Sequence, residues 1–240
     1  MEFKEIKWEG YSGIEFEFDG LPAKLIRPTT TPNGKWVYKT EYFGAFPSAE
    51  FELLRRGYHV AYNQNIDRWA EPYDLARKVE FMRFISDEFG LSQKCSMVGM
   101  SCGGMYAVKL AAIVPEFVSC LYLDAPVINL LSCPFALGKA DRVVLDEYIK
   151  ITGRGIPEIL SYREHPLDKF PILAKHNIPV ILVGGDSDRV VPFEENGALL
   201  EAYYKSAGCT IETYLKKNCD HHPHGLDDPK IIADFIDKHS

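Results

Sequence analysis

Apolar and charged residues alternate near the start of the chain, where Ile14, Phe16 and Phe18 are separated by Glu15 and Glu17. Such a period of two belongs to a strand with one face on a core and the other in water. Ala23 to Arg27, ahead of Pro28, supplies a partner across the Asp19-Gly20 turn, so a hairpin is expected to lead the fold. The turn cluster 29–34 is followed by a further strand, Lys35 to Thr40, and a glycine-containing loop, Glu41 to Pro47. The period then changes. Ser48 to Arg56 reads as a helix closed by Gly57, and Asp74 to Phe89 as another, with Leu75, Val79, Met82 and Ile85 on helical spacing and Gly90 as its stop. Between them stand a strand, Tyr58 to Tyr62, and a long loop, Asn63 to Tyr73, of a length that is usually functional or mobile.

Beyond Gly90, short apolar runs alternate with helical patterns. Lys94 to Val98, Val118 to Asp124, Pro179 to Gly185 and Thr210 to Lys216 are expected strands, and Met105 to Ile113, Pro192 to Ser206 and Asp228 to Lys238 expected helices. Pro126 to Phe170 breaks the texture with glycines and prolines around one helical piece near Val143 to Ile149, and reads as an insertion or lid. The fold class is therefore α/β: one domain over 1–240, with a mostly parallel central sheet, an antiparallel N-terminal hairpin, helices on both faces and a small lid at about 126–170. Ligands on such sheets bind at the carboxyl ends of the strands, which is where reactive groups are to be sought.

Composition narrows the partners. The net charge of −7, without a lysine or arginine run, argues against nucleic acid or an anionic membrane surface. No apolar run approaches the ~20 residues of a membrane span, and Met1 to Glu5 lacks the apolar core of a signal peptide, so a cytoplasmic location is expected. The six cysteines have no Cys-x-x-Cys spacing, and reduced thiols are expected, with a Cys209 to Cys219 bridge as the one alternative.

The chemistry centres on Val98-Gly99-Met100-Ser101-Cys102-Gly103-Gly104, a Gly-x-Ser-x-Gly sequence between an expected strand and an expected helix. A strand that turns into a helix within one residue strains that residue's backbone and exposes its side chain, while the flanking glycines let the crossing backbones approach. The first helical N–H groups, beginning with that of Cys102, would face negative charge formed beside Ser101. A serine hydroxyl needs an imidazole to take its proton and a carboxylate to orient that imidazole. Candidates leave the two late strands: Asp186 and Asp188 after Gly185, and His221, His222 and His224 after Lys216. Asp124 is a further candidate acid at the end of an earlier strand.

The order serine, acid, histidine, together with Gly184-Gly185-Asp186-Ser187-Asp188-Arg189-Val190-Val191-Pro192, resembles the α/β-hydrolase superfamily, in its serine esterase and prolyl-oligopeptidase-like branch. The resemblance runs from about Gly13 to the end. It implies Ser101 as nucleophile, Asp188 as acid and His221 as base, although Asp220 stands where the family has glycine. It also implies an oxyanion hole of the Cys102 N–H and an N–H from Glu41 or Tyr42, without the common His-Gly-Gly form. Trp69 and Tyr73 are candidate substrate contacts, or else core residues. Clustered histidines can hold zinc, but none of the accompanying residues has established ligand spacing and Pro223 disrupts helical placement, so no metal is expected. The function implied is a cofactor-independent serine hydrolase acting on a small-molecule carboxylic ester. A prolyl-peptidase-like hydrolase, a thioesterase and a non-catalytic binding protein of the same fold are the alternatives.

Overall fold

The structure is a computed structural model and describes residues 1–240. Nine strands form one sheet: β1 (Lys4–Trp8), β2 (Tyr11–Phe18), β3 (Leu21–Ile26), β4 (Trp36–Lys39), β5 (His59–Asn63), β6 (Cys95–Met100), β7 (Val118–Asp124), β8 (Val180–Gly185) and β9 (Ile211–Lys216). Their spatial order is β1-β2-β3-β5-β4-β6-β7-β8-β9. The first three strands and β5 pair antiparallel, and from β5 to β9 every pairing is parallel. β6 and β8 are buried along their whole length, as strands of a parallel sheet covered on both faces must be.

Eight helices cover that sheet: α1 (Ser48–Arg55), α2 (Pro72–Phe89), α3 (Cys102–Ile113), α4 (Leu145–Thr152), α5 (Ile156–Ser161), α6 (Phe170–Lys175), α7 (Gly197–Ala207) and α8 (Lys230–His239). α1 and α8 pack on one face through Leu53, Leu54, Ile232 and Phe235. The other face carries α2, α3, α6 and α7 and a larger core, which also takes in Leu130, Phe135, Leu145, Tyr148 and Ile159 of the segment expected as a lid.

Three elements depart from expectation. β1 is an additional opening strand. It carries Lys4, Glu5 and Lys7 on an edge whose residues are mostly exposed, with only Ile6 and Trp8 as a short apolar face packed on the core, and such charges protect an edge from further pairing. The helix expected from Pro192 begins only at Gly197, because a separate short turn, Phe193–Glu195, precedes it. The irregular stretch holds α4 and α5 where one helical piece was expected. All six cysteines are unbridged, Cys209 and Cys219 included.

A buried ion pair ties the loop after β4 to the sheet. Lys39 Nζ, at the end of β4, lies 2.5 Å from Glu50 Oε1 of α1 and donates to the Ala45 carbonyl at 3.2 Å, and both side chains are within 1% of complete burial. Removing one partner strands the other charge, which typically costs about 3–5 kcal/mol. Lys39→Met is expected to lose stability of that order in urea unfolding, and Lys39→Met/Glu50→Leu to recover most of it. An equal loss in both variants would show that the packing around Lys39 matters rather than the charge.

Candidate active site

Ser101 is the single residue between β6 and α3, with φ +52° and ψ −121°. This conformation costs a non-glycine residue about 1–3 kcal/mol and persists only where the surroundings enforce it. Here the surroundings are backbone. The Ser101 N–H donates to the Asp124 carbonyl at 2.9 Å, and its carbonyl accepts from the Val127 N–H at 3.0 Å. A Cβ on Gly99 would stand 2.7 Å from the Gly103 carbonyl oxygen, and one on Gly104 would stand 2.4 Å from Pro126 Cβ. The glycines of the motif are thus required by close approach.

Two loops bring the partners. His221 Nε2 is 3.1 Å from Ser101 Oγ, and its Nδ1 is 2.8 Å from Asp188 Oδ2. The other carboxylate oxygen of Asp188 accepts the Val190 and Val191 N–H groups, each at 2.8 Å. With Nδ1–H donating to Asp188, the imidazole presents its Nε2 lone pair to the serine hydroxyl. Asp220 has a structural use. Its Oδ1 accepts from the Arg189 N–H at 3.1 Å and from the His221 N–H at 2.7 Å, joining the acid loop to the histidine loop. Those two N–H groups hold its carboxyl below the ordinary aspartate range.

The rival candidates find each other. His224 Nδ1 lies 2.8 Å from Asp124 Oδ1, while Asp124 Oδ2 accepts from the Gly225 N–H at 2.6 Å and the Tyr122 hydroxyl at 2.8 Å. Burial opposes the Asp124 carboxylate, but His224, the Gly225 N–H and Lys216 outweigh it and keep its pKa below the usual value. Asp186 caps a turn, accepting from the Asn218 N–H at 2.7 Å. His222 is exposed, with its ring stacked on Phe46 at 5.3 Å. The ligand atoms of His221, His222 and His224 lie within 4.8 Å of one another, yet His221 has both ring nitrogens engaged and His224 has one on Asp124.

The loop after β4 lies beside the elbow. Thr40 Oγ1 is 2.7 Å from the Gly103 carbonyl oxygen and 3.1 Å from that of Val98, and a Cβ on Gly103 would lie 3.4 Å from the Glu41 nitrogen. The Asn65 side-chain amide donates to the Glu41 carboxylate, whose pKa burial raises against the pull of Lys78. Tyr42 has φ +52°, and its hydroxyl lies against the Cys102 thiol. Burial pushes that thiol up to about 11, so it stays protonated at neutral pH.

The two aromatic candidates part company. Trp69 is 1% exposed and meets Tyr148 edge to face at 5.0 Å, with its indole N–H unpartnered. Tyr73 is half exposed and donates its hydroxyl to Asp67. A hollow of about 740 Å³ lies on the outer hairpin, lined by Met1, Lys4, Glu15 and Phe16 among others, and does not include the serine. Sequence reasoning did not find the Lys39–Glu50 pair or the contact of Phe46 with the histidine loop. For Lys39, the signal available was a charge at the end of the otherwise uncharged run Trp36-Val37-Tyr38.

No family model matches the chain. It is 29% identical to the acylamino-acid-releasing enzyme of Mus musculus over 122 residues, which are 50% of this chain and 16% of that protein's length. A puromycin-hydrolyzing peptidase of Mycobacterium tuberculosis superposes with a TM-score of 0.73 at 13% identity, over 94% of this chain and 38% of that one. An S-formylglutathione hydrolase from Agrobacterium tumefaciens superposes with a TM-score of 0.65 at 16% identity, over 100% of this chain and 97% of that one. The acylaminoacyl peptidase of Pyrococcus horikoshii gives 0.66 at 13% identity, over 91% of this chain and 37% of that one. The mixed sheet with its antiparallel N-terminal part, the helices on both faces and these likenesses show that the chain has the α/β-hydrolase fold.

Proposed function

We propose that this chain is a serine hydrolase that cleaves a carboxylic ester through an acyl-enzyme on Ser101, His221 and Asp188. The observation that carries the reading is the continuous relay of 3.1 Å and 2.8 Å from Ser101 Oγ through the imidazole to Asp188. As Ser101 Oγ bonds to the ester carbonyl carbon, its proton passes to His221 Nε2. The resulting oxyanion faces the Cys102 N–H, which as the first helical donor has no intrahelical acceptor, and the Glu41 to Tyr42 loop. The carbon–oxygen bond to the alcohol then breaks, and the alcohol leaves with the proton from His221. Water attacks the acyl-enzyme, gives its proton to the same nitrogen, and collapse of the second tetrahedral species returns that proton to Ser101. Asp188 remains a carboxylate throughout and stabilises the imidazolium.

A peptide-bond reading is favoured by the likeness to the acylamino-acid-releasing enzyme, of which this chain spans a small part. The same relay serves an amide leaving group, so the two readings differ in the substrate pocket and not in the triad. The complete triad weighs against a purely binding role.

A fluorophosphonate is expected to add once to the wild-type protein, at Ser101, and not to Ser101→Ala, as read by intact mass. On a panel of nitrophenyl esters and N-acylated amino-acid anilides, Asp188→Asn is expected to lower kcat by about 10⁴-fold. An adduct without ester turnover but with anilide turnover would move the assignment to a peptidase, and the absence of any adduct on folded protein would remove the triad reading.

The Asp124–His224 pair is expected to act on stability. Because the folded pKa of Asp124 lies below its ordinary value of 3.8, its contribution is present above that value and is lost as pH falls through the folded pKa. Asp124→Asn is expected to lower unfolding free energy by about 3 kcal/mol at neutral pH. The deficit should shrink as pH falls below about 4. Urea titrations along that range check this, and a deficit independent of pH would contradict it.

A further inference from the structure

Lys109 stands on α3, two turns beyond the elbow, and is 4% exposed. Its ammonium has three donors but only neutral acceptors: the Ala70 carbonyl at 3.2 Å and the Tyr162 hydroxyl at 3.5 Å. The carboxylates nearby are committed elsewhere. Glu71 forms a two-pronged pair with Arg154 at 2.7 and 2.8 Å, and Glu164 pairs with Lys169. Three cations thus share two anions, and Lys109 is the cation left without one. Lys109, Ala70 and Tyr162 all line one cavity of about 270 Å³, whose remaining walls include Leu75, Ala112, Ile113 and Ile172.

We infer that this cavity binds a small monocarboxylic acid, with its carboxylate on Lys109 and its short apolar tail against Leu75, Ile113 and Ile172. The cavity is smaller than the roughly 300–1,000 Å³ of pockets for drug-sized molecules, which suits a short acyl chain. A carboxylate supplies the missing charge and an acceptor for the free donor, in surroundings where a charge-assisted hydrogen bond is strong. Burial pushes the Lys109 ammonium down to about 8, against the pull of Glu71. Arg154, Tyr162, Glu164, His165 and Lys169 are the other titratable groups around it. A carboxylate pairs with the charged form, so binding weakens as pH rises past that value. The site is separate from the triad and does not depend on the proposed reaction.

Calorimetric titration of the full chain with butanoate, hexanoate and octanoate tests this, with hexanol as the neutral control and Ser101→Ala to exclude binding at the triad. The expected result is saturable binding that Ser101→Ala preserves and that declines above about pH 8. Hexanol, Lys109→Met and Ile113→Trp should each weaken it about tenfold or more. Ile113 is about half exposed at the cavity wall, so its replacement fills the cavity without removing a core side chain, and it decides the matter if Lys109→Met fails to fold. Absence of binding by every acid, loss of binding in Ser101→Ala, or unchanged affinity in Ile113→Trp would overturn the inference.

Discussion

The site depends on how closely two backbones pass at the elbow. β6 turns into α3 within Ser101, and the turn closes only because Gly99 lies against Gly103 and Gly104, and Gly104 against Pro126, with no side chain between them. The hydrogen bonds from the Ser101 N–H to Asp124 and from the Val127 N–H to Ser101 fix the strained residue to the neighbouring strand. The positions of its partners then follow from the sheet. β8 and β9 run parallel to β6 and β7, so their exits lie at the same end as the serine. Asp186 and Asp220 bind the two exit loops to each other and set the spacing of Asp188 and His221.

The two aspartate–histidine pairs divide the work by what surrounds each. Asp188 gives one oxygen to backbone donors and the other to His221, whose far nitrogen is left for Ser101. Asp124 accepts from His224 on one oxygen and from the Gly225 N–H and the Tyr122 hydroxyl on the other, so its histidine partner is His224 and not His221. Its pair instead anchors the far end of the histidine loop, while the backbone carbonyl of the same residue holds the serine. The edge-to-face contact of His224 with His221 at 5.1 Å lets that anchor also pack against the His221 ring.

The parts legible in the sequence were those whose determinants are local. The elbow needs two residue types at three of five positions, and Asp188 and His221 sit in the first turns after apolar strands, so order and spacing point to them. Helices α1 and α2 carry periodic apolar faces, while α3, β6 and β8 are short, nearly continuous apolar runs buried on all sides. β1 offers only Ile6 and Trp8 among lysines and a glutamate, an alternation too short to stand out. The break before α7 was hidden because Phe193, Leu200 and Tyr204 supply apolar residues on both sides of it. Which of three histidines meets Asp188 depends on the path of the loop after β9, and that path is set by Asp186, Asp220 and Asp124 from three different segments. A lysine's burial is likewise invisible in its letter: Lys39, Lys78 and Lys109 are all buried, each through contacts distant in sequence.

The segment 126–170 is fastened to the loop that follows β5. Tyr148 meets Trp69, Glu147 pairs with Arg68 at 2.9 Å, and Arg154 pairs with Glu71, so the two least regular stretches of the chain, 63–73 and 126–170, are fastened to each other at three points. Both rest on α3, nearly all of which is buried. Lys109 stands where these stretches meet α3, and Ser101 stands at the N-terminus of that helix. Lys109 donates to the Ala70 carbonyl of the first stretch and to the Tyr162 hydroxyl of the second, so α3 is the common support on which both irregular segments meet.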